Sequence, residues 1–279
     1  ADKDVKFKCN VTKEEYCRMI EKTKHYIKEG DIFQGVISRR FVADYKSSLI
    51  NAYRVLRTTN PSPYMYFIQS DDLQIAGASP ETMVKLVDGK LTTFPVAGTR
   101  PRGVNDEQDK KELLADEKEL AEHNMLVDLA RNDMGRIAKY GSVYLEDYMK
   151  IHRFSKVMHI ASTVCGQIRE DKDGCDTVAA LLPAGTLSGA PKFRACQIID
   201  ELEKEPRGVY GGAIGYIDLS GNLDVCIAIR TAVMKDNKVY VQAGAGIVAD
   251  SIPESEYIEC AHKAGAVIDA IKRGSEVNG

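Results

Sequence analysis

The stretch VYGGAIGYIDLSGNLDVCIAIRTAVMKDNKVYVQAGAGI, residues 209–247, decides the fold class. It divides into three extended runs, 209–219, 223–234 and 238–247, rich in β-branched and apolar residues. Ser220-Gly221 and Asp236-Asn237 separate them and are turn signals. Three strands joined this tightly predict an antiparallel meander. Working outward, 32–42, 64–69, 73–78, 82–87, 90–96, 142–149 and 154–168 also read as extended, with Asp88-Gly89 as a hairpin turn. Helical periodicity fills the gaps. A first helix covers about 12–28, opened by a Thr12/Glu15 capping box and stopped by Gly30. Others cover 48–58, closed by Asn60-Pro61-Ser62-Pro63, then 109–139 with a break near Asp116, 176–182 and 190–203. The last helix opens with Ser251 as cap, Pro253 near its first position and Glu254, and ends near Lys272–Gly274. Strands joined directly, with helices placed irregularly, predict an α+β fold with large antiparallel sheets rather than a doubly wound one.

Composition narrows the function classes. The 279 residues are 44% hydrophobic and 28% charged, as in a globular protein with a large core. Thirty-eight basic and 41 acidic residues leave a net charge of -3, so neither nucleic acid nor an anionic membrane is an expected partner. No apolar run is long enough to span a bilayer. The seven cysteines, at 9, 17, 165, 175, 196, 226 and 260, are odd in number and scattered, which argues against a disulfide framework or zinc cluster and for reduced thiols in the cytoplasm. The opening Ala-Asp-Lys-Asp, without a Met, reads as an excised or processed boundary.

Two pairs of glutamates carry the sharpest chemical signal. Glu119 and Glu122 are three apart on the long helix, and Glu256 and Glu259 are three apart on the last. That step puts both side chains of a pair on one helical face. Taken alone, such pairs are more often solvated surface. If the two faces met, the carboxylates would repel one another unless a cation lay between them, and an all-oxygen donor set suits Mg²⁺. A second signal is Gln242-Ala243-Gly244-Ala245-Gly246-Ile247 at the end of a strand, where glycines let an anion approach backbone amides. Arg230 and Tyr210 fall on neighbouring predicted strands, and an arginine fork pairs with a carboxylate. The glycines alone equally fit a bulge or tight packing. Ser188-Gly189-Ala190-Pro191-Lys192 departs from the P-loop pattern because Phe193 follows the lysine, and no dinucleotide fingerprint stands between a strand and a helix.

These motifs, in this order, resemble the chorismate-utilising enzymes, and within them anthranilate synthase component I. The matching segments are Gly30–Gln34, Pro61–Met65, Gly77–Glu81, Pro95–Gly103, Glu122–Asp133 and Pro183–Lys192. The resemblance covers nearly the whole chain, 1–279, as one chorismate-binding catalytic domain lacking the family's N-terminal regulatory region. It implies an α+β fold of large antiparallel sheets packed together with helices outside. It also implies a Mg²⁺-dependent carbon–oxygen lyase that turns chorismate and ammonia into anthranilate and pyruvate, in tryptophan biosynthesis. By resemblance, Glu122 and Glu259 hold Mg²⁺ with Glu119 and Glu256 close by. The metal and the amides of Gly244, Ala245 and Gly246 grip the ring carboxylate, while Arg230 and Tyr210 hold the enolpyruvyl carboxylate. Gly98, Thr99 and Arg100 line the same pocket, and Thr186, Lys192 and Gln34 belong to it. Glu81 is the implied acid for the departing hydroxyl, which requires a raised pKa, and His159 the implied proton carrier in the elimination.

Within the family, isochorismate and salicylate synthases place a lysine where Gln34 stands, and aminodeoxychorismate synthases typically place one at Ala97. Both differences favour anthranilate, with aminodeoxychorismate, aminodeoxyisochorismate and isochorismate synthases as alternatives and an inactive binding module of the same fold as the non-enzymatic one. Pro63, Tyr64 and Met65 match part of the family's tryptophan site. No glutamine-hydrolysing signature is evident, so the resemblance implies a separate glutamine amidotransferase subunit as ammonia donor. It implies a cytoplasmic location, or a plastid one in a plant.

Overall fold

A computed structural model describes residues 5–101, 106–153 and 157–274. The elements follow the chain as β1 (Lys8–Cys9), α1 (Lys13–Lys28), β2 (Gln34–Asp44), α2 (Ile50–Thr59), β3 (Tyr64–Ser70), β4 (Leu73–Ser79), β5 (Thr82–Val87), β6 (Lys90–Thr93) and β7 (Val96–Pro101). Next come α3 (Asp106–Ala115), α4 (Glu117–Gly135), β8 (Tyr144–Arg153), β9 (Val157–Gln167), α5 (Gly174–Leu181), α6 (Gly185–Ser188), β10 (Gly189–Ala190) and α7 (Lys192–Leu202). The chain ends with β11 (Ala213–Ile217), β12 (Leu223–Ile227), β13 (Thr231–Lys235), β14 (Lys238–Ile247) and α8 (Pro253–Gly274). This is the α+β class that the strand runs predict. The residues form two compact units, each discontinuous in sequence.

The first unit comprises 1–81, 186–212 and 226–279. Its seven-stranded sheet has the order β1-β2-β14-β13-β4-β3, with β10 also on β2. The β2–β14 ladder is antiparallel and runs from Lys238↔Asp44 to Ile247↔Gly35. Period-2 alternation sorts its side chains. Val239, Val241, Ala243, Ala245 and Ile247 are buried in one core with Ile37 and Ala43 of β2, Tyr16 and Ile20 of α1, and Cys260, Ala264, Val267 and Ile271 of α8. The intervening Tyr240, Gln242, Gly244 and Gly246 therefore face away from that core. Helix α1 has the predicted Thr12/Glu15 capping box. Arg39, on the helix-facing side of β2, is fully buried. Its guanidinium lies 3.7 Å from the Tyr257 ring centroid and donates to the Tyr257 carbonyl at 2.6 Å.

The second unit comprises 82–185 and 213–225. Its sheet has the order β11-β12-β5-β6-β9-β7, with β8 also on β9. β9 pairs antiparallel with β6, β7 and β8. The turn Asp88-Gly89 has φ of 50° and 80°, the left-handed pair that a two-residue hairpin with right-handed twist demands. The predicted long helix breaks at Asp116, whose side chain caps α4 through the Lys118 and Glu119 amides. Leu113 packs with Met158 and Ile160, joining α3 to β9.

Four local expectations are corrected. The 209–247 stretch is not one meander. β13 and β14 pair in the first unit's sheet, while β11 and β12 lie in the second unit's sheet. The run 223–234 is broken at Arg230, whose φ of 51° turns the chain out of extended geometry. The run from 209 also begins as a turn, and β11 starts only at Ala213. Ser251 does not cap α8 as expected, because its hydroxyl instead accepts the upstream Val248 N–H at 3.1 Å. No helix among the described residues is long and apolar enough to cross a membrane.

Candidate active site

The first unit builds an open amide edge. The ladder from β14 to β13 stops at Ala232↔Val241, whereas the ladder to β2 continues to Ile247. Beyond Val241, one edge of β14 therefore has no strand beside it among the described residues. The cause is Arg230, which diverts the chain just before β13. The backbone is bare where it opens. A Cβ at Gly244 would lie 2.9 Å from both the Tyr210 hydroxyl and the Ile37 carbonyl. One at Gly246 would lie 2.6 Å from the Gln34 side-chain nitrogen. Gly244 thus lies beside Tyr210, and Gly246 beside Gln34. Tyr210 sits on a turn rather than a strand, and burial pushes its pKa well up, keeping it a neutral hydrogen-bonding group. The Ala245 side chain is buried in the core, so only its backbone is available to a ligand.

Arg230 is half-buried, and among the described residues it has no acidic partner or side-chain hydrogen bond. Desolvation lowers its pKa. A cation withdrawn from water without a counter-charge is costly, and an anionic ligand would relieve the cost.

Glu81 follows β4. The Ser79 hydroxyl, bonded to the Ile227 carbonyl at 2.6 Å, and the Ile227 amide, bonded to the Glu81 carbonyl at 3.0 Å, fix its backbone. Burial pushes its carboxyl up to about 7. The Thr186 hydroxyl, buried but short of a well-aligned hydrogen bond, and the Lys263 ammonium pull modestly the other way. A carboxyl near 7 is poised to give or take a proton at neutral pH. Lys263 is a residue that sequence reasoning missed. It sits one turn beyond Glu259, pairs with it at 2.7 Å, and donates to the Gly244 carbonyl at 3.3 Å. Its four-residue step from Glu259 was the available signal. Lys192 opens α7 and is half-buried. Pro63 is exposed ahead of β3. Tyr64 pairs with Ser79, and Met65 packs on the small core of Val55, Leu56, Ala78 and Ala270.

The second unit gathers Gly98, Glu119 and His159. Gly98 has φ 65° at a bulge in β7. A Cβ there would lie 3.2 Å from a Glu119 carboxylate oxygen and 3.0 Å from Leu113. His159 Nδ1 lies 3.3 Å from the Gly98 carbonyl, and burial lowers its pKa, favouring the neutral ring. The side chains of Thr99 and Arg100 lie outside the described residues. Glu122 is half-buried one turn beyond Glu119, and the next residue, His123, is fully buried with Nε2 2.6 Å from the Ser162 hydroxyl.

For a metal, each unit offers one pair of carboxylates on a single helix face. Among the described residues, no group of three His, Cys, Asp or Glu is arranged to hold an ion. Two hard oxygen donors from one element fit a cation that keeps several waters and takes further oxygens from its substrate. They do not fit zinc or copper, which want nitrogen or sulfur.

Residues 1–269 match the model of the chorismate binding enzymes. The chain belongs to that family. This chorismate binding enzyme is 55% identical to anthranilate synthase component 1 of Acetivibrio thermocellus, over 96% of the present chain and 55% of that relative. It is 52% identical to the same component from Bacillus subtilis, over 94% and 52% of the two chains. In structure it resembles anthranilate synthase component I from Streptococcus pneumoniae, with a TM-score of 0.88 and 47% identity over 94% of this chain and 59% of that one. The chain spans about half the length of the curated relatives it matches.

Proposed function

We propose that this chain is the chorismate-converting part of an anthranilate synthase. The observation that carries the reading lies in one unit: an open amide edge at Gly244–Gly246, an arginine that has no acidic partner among the described residues, and a carboxyl held at about 7. Such a set suits a small dicarboxylate that loses a hydroxyl. The family's description supplies the substrate, chorismate, and the relatives' names supply the product, anthranilate.

In this reading the ring carboxylate of chorismate takes the amides of Gly244–Gly246, and Arg230 with the Tyr210 hydroxyl takes the enolpyruvyl carboxylate. Ammonia adds to the ring as its hydroxyl departs, and Glu81 supplies the proton that lets it leave as water. His159, neutral by burial, then accepts the ring proton as the ring C–O bond breaks and the ring becomes aromatic, and the enolpyruvate that leaves gains a proton on its methylene carbon to become pyruvate. Gln34 has no basic atom to deprotonate water, which favours ammonia as nucleophile. Glu122 and Glu259 are the proposed Mg²⁺ ligands, with Glu119 and Glu256 supporting them. Bound there, Mg²⁺ neutralises carboxylate charge and orients the ring. A glutamine amidotransferase subunit is the proposed source of ammonia.

The test is product analysis of the purified chain with chorismate, Mg²⁺ and ammonium at alkaline pH. Fluorescent anthranilate and pyruvate in equal amounts are expected. Isochorismate, or an aminated product that keeps its pyruvyl ether, would replace this reading with a sister activity. Binding of chorismate without any product would make the chain a binding module.

A further inference from the structure

One ion pair in the first unit stands behind the residues assigned above without being among them. Arg207 and Glu203 are nearly buried, with side chains 17% and 7% exposed. The guanidinium grips the carboxylate with two prongs, Nε at 2.8 Å and Nη2 at 2.6 Å. It also donates to the Val36 carbonyl at 2.7 Å and to the Leu187 carbonyl, and it lies 5.6 Å from the centre of the Tyr210 ring. On the other side, Glu203 accepts the Ser38 amide at 2.7 Å and the Ser38 hydroxyl at 2.9 Å. Ser38 is the register partner of Gly244. Val36 is two residues from Gln34, and Leu187 is next to Thr186. Three separate chain segments, carrying Gln34, Thr186 and Tyr210, therefore converge on one guanidinium.

A buried ion pair contributes little net stability compared with an apolar replacement, because desolvation offsets the attraction. What it supplies is fixed direction, since the planar fork admits one arrangement of its acceptors. We propose that Arg207, held by Glu203, is a positioning residue that sets the relative placement of Gln34, Thr186 and Tyr210 for the reaction. The catalytic half of this claim rests on the anthranilate synthase reading, and the geometric half does not.

The test compares wild type with Arg207→Lys and Arg207→Gln, well below the lowest melting midpoint. Arg207→Gln is expected to lose at least ~30-fold in kcat/KM, with Arg207→Lys intermediate because it keeps the charge and loses the fork. Amide hydrogen exchange should quicken by ~10-fold or more in 34–38, 185–190 and 203–212, and stay unchanged in α1 and β13. Lower thermal stability with wild-type kcat/KM and uniform exchange would overturn the proposal and leave a merely structural pair. If Arg207→Gln does not fold, Arg207→Lys decides by the same two readouts. If wild type does not convert chorismate, the functional reading fails, and the exchange pattern alone decides whether the clamp exists.

Discussion

The amide nitrogen of Gln34 lies 2.6 Å from the point where a side chain at Gly246 would begin. Across the β2–β14 ladder, one residue's side chain occupies the space the other lacks. Gly246→Ala must displace Gln34, and since that is the far end of a flexible side chain, the fold should survive. We expect a loss of at least ~100-fold in kcat/KM with stability lowered by no more than about 1–2 kcal/mol. Gly189→Ala is the contrast. There φ is 135° and a Cβ would lie 2.1 Å from the Gln34 carbonyl oxygen, so backbone must move and several kcal/mol should be lost. Urea unfolding of the two variants separates the cases.

Glu81 predicts a pH signature. Its carboxyl is raised from 4.5 to about 7, so the folded chain binds this proton more tightly than the unfolded chain. The stabilisation is complete below pH 4.5 and is lost as pH rises through about 7. Glu81→Gln should therefore be more stable than wild type above pH 7, by about 3 kcal/mol at most, with the gap closing towards pH 4.5. The same variant should lose at least ~100-fold in kcat. Denaturant melts at pH 5 and pH 8 check the stability sign, and an unchanged difference between them would contradict it.

Arg230 predicts a similar opposition between stability and activity, from another cause. Its guanidinium is partly desolvated, with no acidic partner among the described residues. Arg230→Gln should raise the melting temperature of the ligand-free chain slightly, by the equivalent of about 1 kcal/mol. It should weaken chorismate binding by ~100-fold or more. Calorimetric titration and thermal melts on the same samples measure both, and a destabilised variant with intact binding would contradict the assignment.

Glu259 predicts metal dependence. Chelation by EDTA should abolish turnover, and added Mg²⁺ should restore it. Glu259→Gln removes a hard anionic oxygen and should raise the Mg²⁺ concentration for half-maximal rate by ~10–100-fold. It also breaks the ion pair with Lys263, which is partly exposed and contributes little, so the melting temperature should barely move.

Much of this was legible in the sequence where a local rule fixes geometry. The Thr12/Glu15 box, the left-handed Asp88-Gly89 and Asp236-Asn237 turns and the break at Asp116 are each set by residues a few positions apart. The 209–247 stretch shows where that ends. Its turn chemistry is that of a meander, yet Arg230 sends the two hairpins to different sheets, and nothing nearby marks an arginine for a positive φ. For the site, the β2–β14 register brings Gly246 beside Gln34, whereas Tyr210 reaches Gly244 from a turn whose path no local rule fixes. Lys263, Arg207 and Glu203 escaped because their roles come from packing between segments far apart in sequence, and charged residues at helical spacing read as surface.

The β2–β14 pairing has a consequence for synthesis. Arg40 and Gln242, joined across that ladder, are 202 residues apart along the chain. At about 5–20 residues per second, a ribosome needs roughly 10–40 s to deliver the second after the first. Throughout that interval the apolar face of β2 is without the neighbour that later shields it, a window in which a nascent chain is vulnerable to aggregation and a chaperone would find something to hold.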